Sequence, residues 1–327
     1  MTLEDRTSSL ARRAAWLCYV EGKTQVEVAR HLGLSRIKVT RLIALAHRIG
    51  AVKVFVEGVP AECIALETVL KQRFGLRFCH VAPCSDAQIG TSELIRILGN
   101  AGAEFLHHQV EQNPKALVGI GHGRTLTAVA EALPKYARPK VTFVSLLGSL
   151  TRRATANPFD VINRLAERLG CEAYFVPAPF FADSEEDAAV LRSQKLVDAA
   201  LGLAKKAELV LVGIGNLRNT PEIYEPERKS LAKLGIVAEI LGQFLNADGK
   251  VVDCDMARRS ISLRLDDFSG KEVVAIAGGM DKTDAITAVL NSGMLAGLVV
   301  DEPTAAALVE QNPVVDIRRP RHGRGGD

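Results

Sequence analysis

A chain of 327 residues that is 47% hydrophobic and 24% charged is globular, with length for two or three domains of about 100 to 200 residues each. Six cysteines, at positions 18, 63, 79, 84, 171 and 254, form no CxxC pair and no dense framework, which argues against a zinc knuckle or a disulfide scaffold and for free thiols. No stretch approaches the roughly 18 uncharged apolar residues of a membrane span, and the N-terminus lacks the apolar run of a signal peptide, so a cytoplasmic location is expected.

The net charge of +3 is small but unevenly spread. Residues 1–57 carry ten Lys/Arg against five Asp/Glu, a net of +5, and the rest of the chain carries 31 against 33, a net of −2. The positive field therefore gathers at one end.

In that end, residues 11–20 form an apolar-rich helical segment whose single tryptophan, Trp16, is expected to pack against the two helices downstream. Those helices fall within residues 24–49 and are short, hinged at Gly33. Val28, Ala29 and Leu32 face inward on the first; Ser35 caps the second, whose Val39, Leu42, Ile43 and Ala46 face back. Arg36, Lys38, Thr40 and Arg41 are left outward, with Gln25 at the start of the first helix. Those residue types, together with Ser35 at the start of the second helix, reach phosphates and base edges from the major groove. A helix-turn-helix is the expected fold, and the alternating stretch 50–58 adds a strand or wing.

Beyond Pro60 the pattern changes. Apolar runs at 78–81, 116–120, 141–147, 173–176, 209–214, 273–277 and 295–300 alternate with helix-like stretches near 61–73, 88–112, 124–133, 158–169, 185–205, 283–292 and 303–311. Such alternation predicts a parallel sheet covered by helices on both faces. The expected domains are 1–58, a winged helix-turn-helix; 59–317, a Rossmann-like α/β domain; and 318–327, a disordered tail rich in Gly and Arg.

Ligands of open parallel sheets collect at the carboxyl ends of strands, and three such ends are marked by glycine. The first, from Gly119 through Gly121, His122, Gly123, Arg124 and Thr125, runs from an apolar strand into a helix start. Glycines admit a close backbone approach, and Arg124 and Thr125 add donors, which suits an anion such as a sugar phosphate. It is neither a dinucleotide fingerprint nor a P-loop, because Arg124 and Leu126 stand where a third glycine is required and no terminal Gly-Lys-Ser/Thr follows. The second end is Gly278-Gly279-Met280-Asp281-Lys282-Thr283, where the lysine offers a point charge. The third, Gly213-Ile214-Gly215-Asn216, shapes a wall of the same crevice. His122 is the one candidate base in these loops, but no GxSxG elbow, HExxH or complete carboxylate–histidine set accompanies it. No metal, cofactor or catalytic residue is expected. His107 and His108 read as packing or surface residues, and the acids at 183–187 as the favourable start of a helix.

Taken in order, the helix-turn-helix at 24–49, Gly119-Ile-Gly-His-Gly-Arg-Thr-Leu, Val176-Pro-Ala-Pro, Leu211-Val-Gly-Ile-Gly, Phe244-Leu-Asn-Ala-Asp-Gly, Gly278-Gly279 with Lys282, and Val300-Asp-Glu-Pro-Thr-Ala resemble the SorC/DeoR family of bacterial sugar-responsive transcription regulators. The likeness runs from about residue 11 to 311. Residues 121–126, 143–152 and 156–161 look most like the members that regulate erythritol catabolism. The resemblance implies an effector domain folded like sugar-phosphate isomerases and deaminases, and a dimer or tetramer. It also implies that Gly121, Gly123, Arg124 and Thr125 cradle the ligand, with Lys282 as a second cation and Glu239 as the family's acidic residue. The chain departs from the pattern at Ala238-Glu239, where Gly-Asp is common, and at His122, where a bulkier residue is frequent. Both departures leave room for an unphosphorylated polyol, whose hydroxyls need paired donors and acceptors.

The expected function is a DNA-binding regulator, a repressor of a carbohydrate or polyol operon, whose partners are double-stranded operator DNA and a sugar, polyol or sugar-phosphate effector. The alternatives are an isomerase or deaminase with an accessory DNA-binding domain, which would turn over substrate through His122 or Glu239, and a nucleoid protein, which leaves the glycine-marked pocket without a purpose.

Overall fold

The computed structural model describes residues 3–52, 58, 60–84, 89–114, 116–134, 140–150, 161–218, 220 and 223–311, and the chain divides into two units, Met1–Glu57 and Gly58–Asp327.

The described residues of the first unit form three helices, α1 (Leu3–Tyr19), α2 (Gln25–Leu32) and α3 (Arg36–Arg48). Thr24 starts α2 with a capping box: its hydroxyl accepts from the Glu27 amide, and the Glu27 carboxylate accepts from the Thr24 amide at 2.8 Å. Gly33 ends α2 at φ +64°, a left-handed turn that glycine adopts without penalty. Ser35 then caps α3 by accepting from the Lys38 amide at 3.2 Å. The inner faces meet in a core of Ala11, Ala14, Ala15, Leu17, Val28, Ala29, Val39, Leu42, Ile43 and Ala46.

Trp16 does not join that core; it is 60% exposed. The buried stripe of α1 runs through Ala11, Ala14 and Ala15 at helical spacing, which turns Trp16 to the far side of the helix. Small side chains on the inner face, rather than a large ring, set how α1 lies on α3. The wing expected over 50–58 falls mainly on residues 53–57, which lie outside the described residues, as does the tail at 318–327.

In the second unit the strands in chain order are β1 (Phe78–Ala82), β2 (Leu117–Ile120), β3 (Thr142–Leu150), β4 (Glu172–Pro179), β5 (Leu209–Val212), β6 (Ile236–Ile240), β7 (Gln243–Asn246), β8 (Glu272–Ile276) and β9 (Gly297–Asp301). The helices are α4 (Ala61–Phe74), α5 (Thr91–Gln112), α6 (Arg124–Ala132), α7 (Val161–Leu169), α8 (Glu185–Ser193), α9 (Lys195–Ala204), α10 (Glu225–Lys233), α11 (Asp255–Arg258), α12 (Thr283–Asn291) and α13 (Glu302–Gln311). Seven strands make one sheet in the order β1-β9-β8-β5-β2-β3-β4, every neighbouring pair parallel.

Burial on both faces explains why these strands read as continuous apolar runs. Leu209 and Leu211 of β5 join the core under α5, α6 and α7, while Val210 and Val212 join the core that includes α4, α9, α12 and α13. Gly99 and Gly102 let α5 lie close on α6: a Cβ at Gly99 would meet the Ala128 Cβ at 2.7 Å, and one at Gly102 the Val129 Cγ2 at 2.6 Å.

Two features differ from the sequence reading. The single helix expected over 185–205 is two, because Gln194 takes an extended conformation (φ −66°, ψ 131°) between α8 and α9. The antiparallel hairpin β6–β7 and the helix α10 before it were not anticipated. The hairpin turns through Leu241 and Gly242, both at positive φ (52° and 72°), and Leu-Gly lacks the usual Asn-Gly or Asp-Gly signal of such a turn.

Candidate functional site

From β2 the chain winds outward to β3 and β4 on one side, whereas β5, β8 and β9 follow on the other side of β2. The winding direction therefore reverses between β2 and β5, and a crevice opens beyond their carboxyl ends. All three glycine-marked loops reach it. Gly121, His122, Gly123, Arg124, Thr125, Glu239 and Lys282 together line a single cavity of about 250 Å³, with Gly213, Gly215, Gly278 and Asp281.

Each wall has an identifiable support. The Gly121 amide donates to the Leu211 carbonyl at 2.8 Å, which ties the first loop to β5. Gly123 stands at φ +115°, beyond what an L side chain adopts readily, and opens α6 without a side-chain cap. The first amides of α6 are thus presented at the cavity with Arg124 and Thr125 beside them. The His122 ring meets Phe180 edge-on at 4.7 Å.

The third loop closes against the hairpin. Gly215 and Glu239 exchange two backbone hydrogen bonds of 2.9 Å, and a Cβ at Gly215 would come within 2.6 Å of both the Glu239 Oε2 and the Thr220 Oγ1. Glu239 is 6% exposed, and its Oε1 accepts from the Gly242 amide at 2.7 Å. The Ser262 hydroxyl donates to the Leu241 carbonyl at 2.6 Å. Those two bonds hold the turn in which Leu241, itself lining the cavity, adopts its left-handed conformation.

Beneath the second loop lies Asp301, 2% exposed at the end of β9. Its Oδ2 accepts from the Gly279 amide at 3.0 Å, the Thr304 hydroxyl lies 2.8 Å from the same amide, and a Cβ at Gly278 would fall 1.9 Å from that Oδ2. The loop so fixed carries Lys282, whose Nζ donates to the Ile214 carbonyl at 3.0 Å. Burial first, and then the neighbouring Arg124 guanidinium, push the Lys282 ammonium below its ordinary pKa, partly opposed by Asp281 and Glu239.

Sequence reasoning missed the apolar wall: Leu94, Ile95 and Leu98 of α5, Leu147 of β3 and Leu241 of the hairpin, with Thr91 and Thr220 among them. Nothing in the pattern of α5 separates these leucines from ordinary core positions. Two cations, carboxylates, the start of α6 and an apolar wall around one cavity suit a small ligand that carries hydroxyls and an anionic group. Among the described residues, no group of three or more His, Cys, Asp or Glu is placed to hold a metal ion.

In the first unit, Arg36, Lys38, Thr40 and Arg41 are exposed on α3 and Gln25 is half-buried on α2. The Thr40 hydroxyl lies 2.9 Å from the Gln25 Oε1 and 3.0 Å from the Arg36 carbonyl, so the first helix of the motif and the outward side of the second meet through Gln25 and Thr40. Ser35 is occupied in capping α3.

A family model described as "Putative sugar-binding domain" matches residues 59–310. The chain is 44% identical over 316 residues to the erythritol catabolism regulatory protein EryD of Brucella abortus (strain 2308), covering 94% of this chain and 99% of that protein. It is 32% identical over 311 residues to the transcriptional regulator LsrR of Enterobacter sp. (strain 638), covering 92% of each. Among solved structures, the full-length sorbitol operon regulator SorC from Klebsiella pneumoniae shares the fold, with a TM-score of 0.67 at 24% identity over 92% of this chain and 99% of that one.

Proposed function

The chain belongs to the family of SorC/DeoR-type transcriptional regulators built on a sugar-binding domain, and on that premise we propose that it is a repressor of a polyol or sugar catabolic operon. Its N-terminal helices hold operator DNA, and a sugar, polyol or sugar phosphate in the crevice between β2 and β5 releases it. Erythritol and its phosphates head the effector candidates, since EryD is named for erythritol catabolism. The relatives are named as regulators, and the chain is read as a regulator rather than an enzyme.

One observation carries the proposal: segments far apart in sequence, the start of α6, the loop after β8 and strand β6 of the hairpin, bring Arg124, Lys282 and Glu239 to one cavity. In this reading the α6 amides, Arg124 and Lys282 take an anionic or hydroxyl oxygen. Glu239, buried at the cavity wall, accepts from a ligand hydroxyl. His122 offers either a donor or an acceptor.

Calorimetric titration of the full-length protein with erythritol, its phosphates and a panel of other sugar phosphates tests this. At least one should bind, Arg124→Ala and Lys282→Met should each weaken it by tenfold or more, and the same compound should release DNA in a gel shift. Unchanged operator binding across the panel would rule out the effector reading. A compound that tightens operator binding would make the protein an activator of effector-dependent type.

A further inference from the structure

The most exposed large apolar side chain among the described residues of the N-terminal unit is Ile37, at 67%. It lies in the first turn of α3, between Arg36 and Lys38. An α-helix advances about 100° per residue, and the buried stripe of α3 is Val39, Leu42, Ile43 and Ala46. Ile37, Arg41, Ala44 and Arg48, spaced i, i+4, i+7 and i+11, run down the side opposite that stripe, and all four are exposed. Arg36 and Lys38 fall to either flank. The centre of the outward face is therefore an isoleucine followed by an arginine, a small residue and a second arginine, with Arg36 and Lys38 at its edges.

An exposed isoleucine in so cationic a setting is poorly suited to a second copy of the same surface, because Arg36, Lys38, Arg41 and Arg48 would face their own counterparts. A polyanion fits the charges, and in the major groove of DNA the apolar group within reach is the C5 methyl of thymine. We propose that Ile37 is a specificity-determining residue that packs on a thymine methyl in the operator half-site, with Arg41 beside it on the neighbouring base edge and Arg36 and Lys38 on the flanking phosphates. The inference rests on the DNA-binding reading of the first unit and adds to it a contact that carries no charge.

The test uses the full-length protein and a duplex it selects from a randomised pool, with each thymine replaced singly by uracil, which removes only the methyl. At one position per half-site the replacement should weaken wild-type binding about three- to fivefold. Ile37→Ala should lose a similar factor on the thymine duplex and become indifferent to uracil there, while Ile37→Val should keep the sensitivity. The mutated position is exposed, so circular dichroism should show all three proteins equally folded, and Ile37→Val preserves the comparison if the alanine variant is not. A selected duplex insensitive to uracil at every thymine, or undiminished sensitivity in Ile37→Ala, overturns the proposal while leaving DNA binding intact. Dissociation of an oligomer by Ile37→Ala in the absence of DNA overturns it in favour of a contact between copies. Failure to enrich any duplex removes the DNA-binding reading itself.

Discussion

Lys282 shows how burial and neighbouring charge act together on one residue of the cavity. Its ammonium is held below its ordinary pKa by burial and by Arg124, so in the protonation window between the folded and unfolded values the unfolded chain binds more protons. Stability of the ligand-free protein therefore rises with pH there, and the penalty of the buried charge is fully present below the folded value. Lys282→Met lacks this dependence. Denaturant midpoints measured in parallel should show the wild type gaining on the variant as pH climbs toward the ordinary lysine range of about 10.4, and parallel curves for the two proteins would refute the assignment. An anion in the pocket reverses the balance by favouring the ammonium, so an anionic effector should bind with proton uptake at pH values where Lys282 of the ligand-free protein is partly neutral. The cysteines contrast with this. Burial raises Cys63 to about 11 and Cys79 to about 12, which makes them packing residues in the thiol form, and all six cysteines are free.

At the scale of elements, the DNA-reading motif depends on short helices whose ends are specified locally. The eight residues of α2 are too few to be stable alone; the Thr24–Glu27 box, Gly33 and Ser35 fix where the chain turns, and the shared core supplies the rest. Ser35→Ala should cost about 1 kcal/mol through the lost α3 cap, read as a lower denaturation midpoint. Its effect on operator affinity should be small under strongly native conditions and grow with denaturant. A large loss of affinity with no loss of stability would mean that Ser35 contacts DNA directly. In the second unit the β6–β7 hairpin has the corresponding role. It lies outside the seven-stranded sheet, yet it delivers Glu239 and Leu241 to the cavity. Its left-handed Leu241 is held by Glu239 and Ser262 through bonds to the turn backbone, so the acidic side chain at the cavity and the shape of the wall are set by the same few atoms.

At the scale of the whole molecule, function requires that two units answer to each other. If the effector lowers operator affinity by some factor, the operator must lower effector affinity by the same factor, typically about 5- to 150-fold. Effector titrations with and without saturating operator duplex should reproduce the ratio found by gel shift with and without effector. A ratio of one in both titrations would mean that effector and operator binding are not coupled. Charge segregation predicts a further asymmetry. Residues 1–57 carry a net of +5 and the remainder −2, so operator affinity should fall steeply with salt through counterion release, whereas an effector held by two cations in the cavity should lose far less.

Much of the architecture was legible because its signals are local and periodic. The inner stripes of α2 and α3, the Gly33 hinge and the Ser35 cap follow from helical spacing and capping chemistry, and each of the seven apolar runs contributes to a strand of the sheet. The three glycine-marked strand ends were legible as well, since a strand that stops at glycines before a helix is a pattern of adjacent residues. Where reasoning from the sequence failed, packing decided the outcome. Trp16 is turned outward by a packing face of alanines, and the pocket's apolar wall is drawn from α5, β3 and the hairpin. The order β8-β5-β2-β3, which places the loops after β2, β5 and β8 side by side, is a property of strand pairing and has no trace in any one segment. Sequence by itself determined where the donors, charges and turns lie along the chain, because these are fixed by residue type. Only the tertiary structure decided that Arg124, Glu239 and Lys282 share one cavity and that Ile37 heads the outward face of α3, because proximity is set by how buried surfaces close on one another.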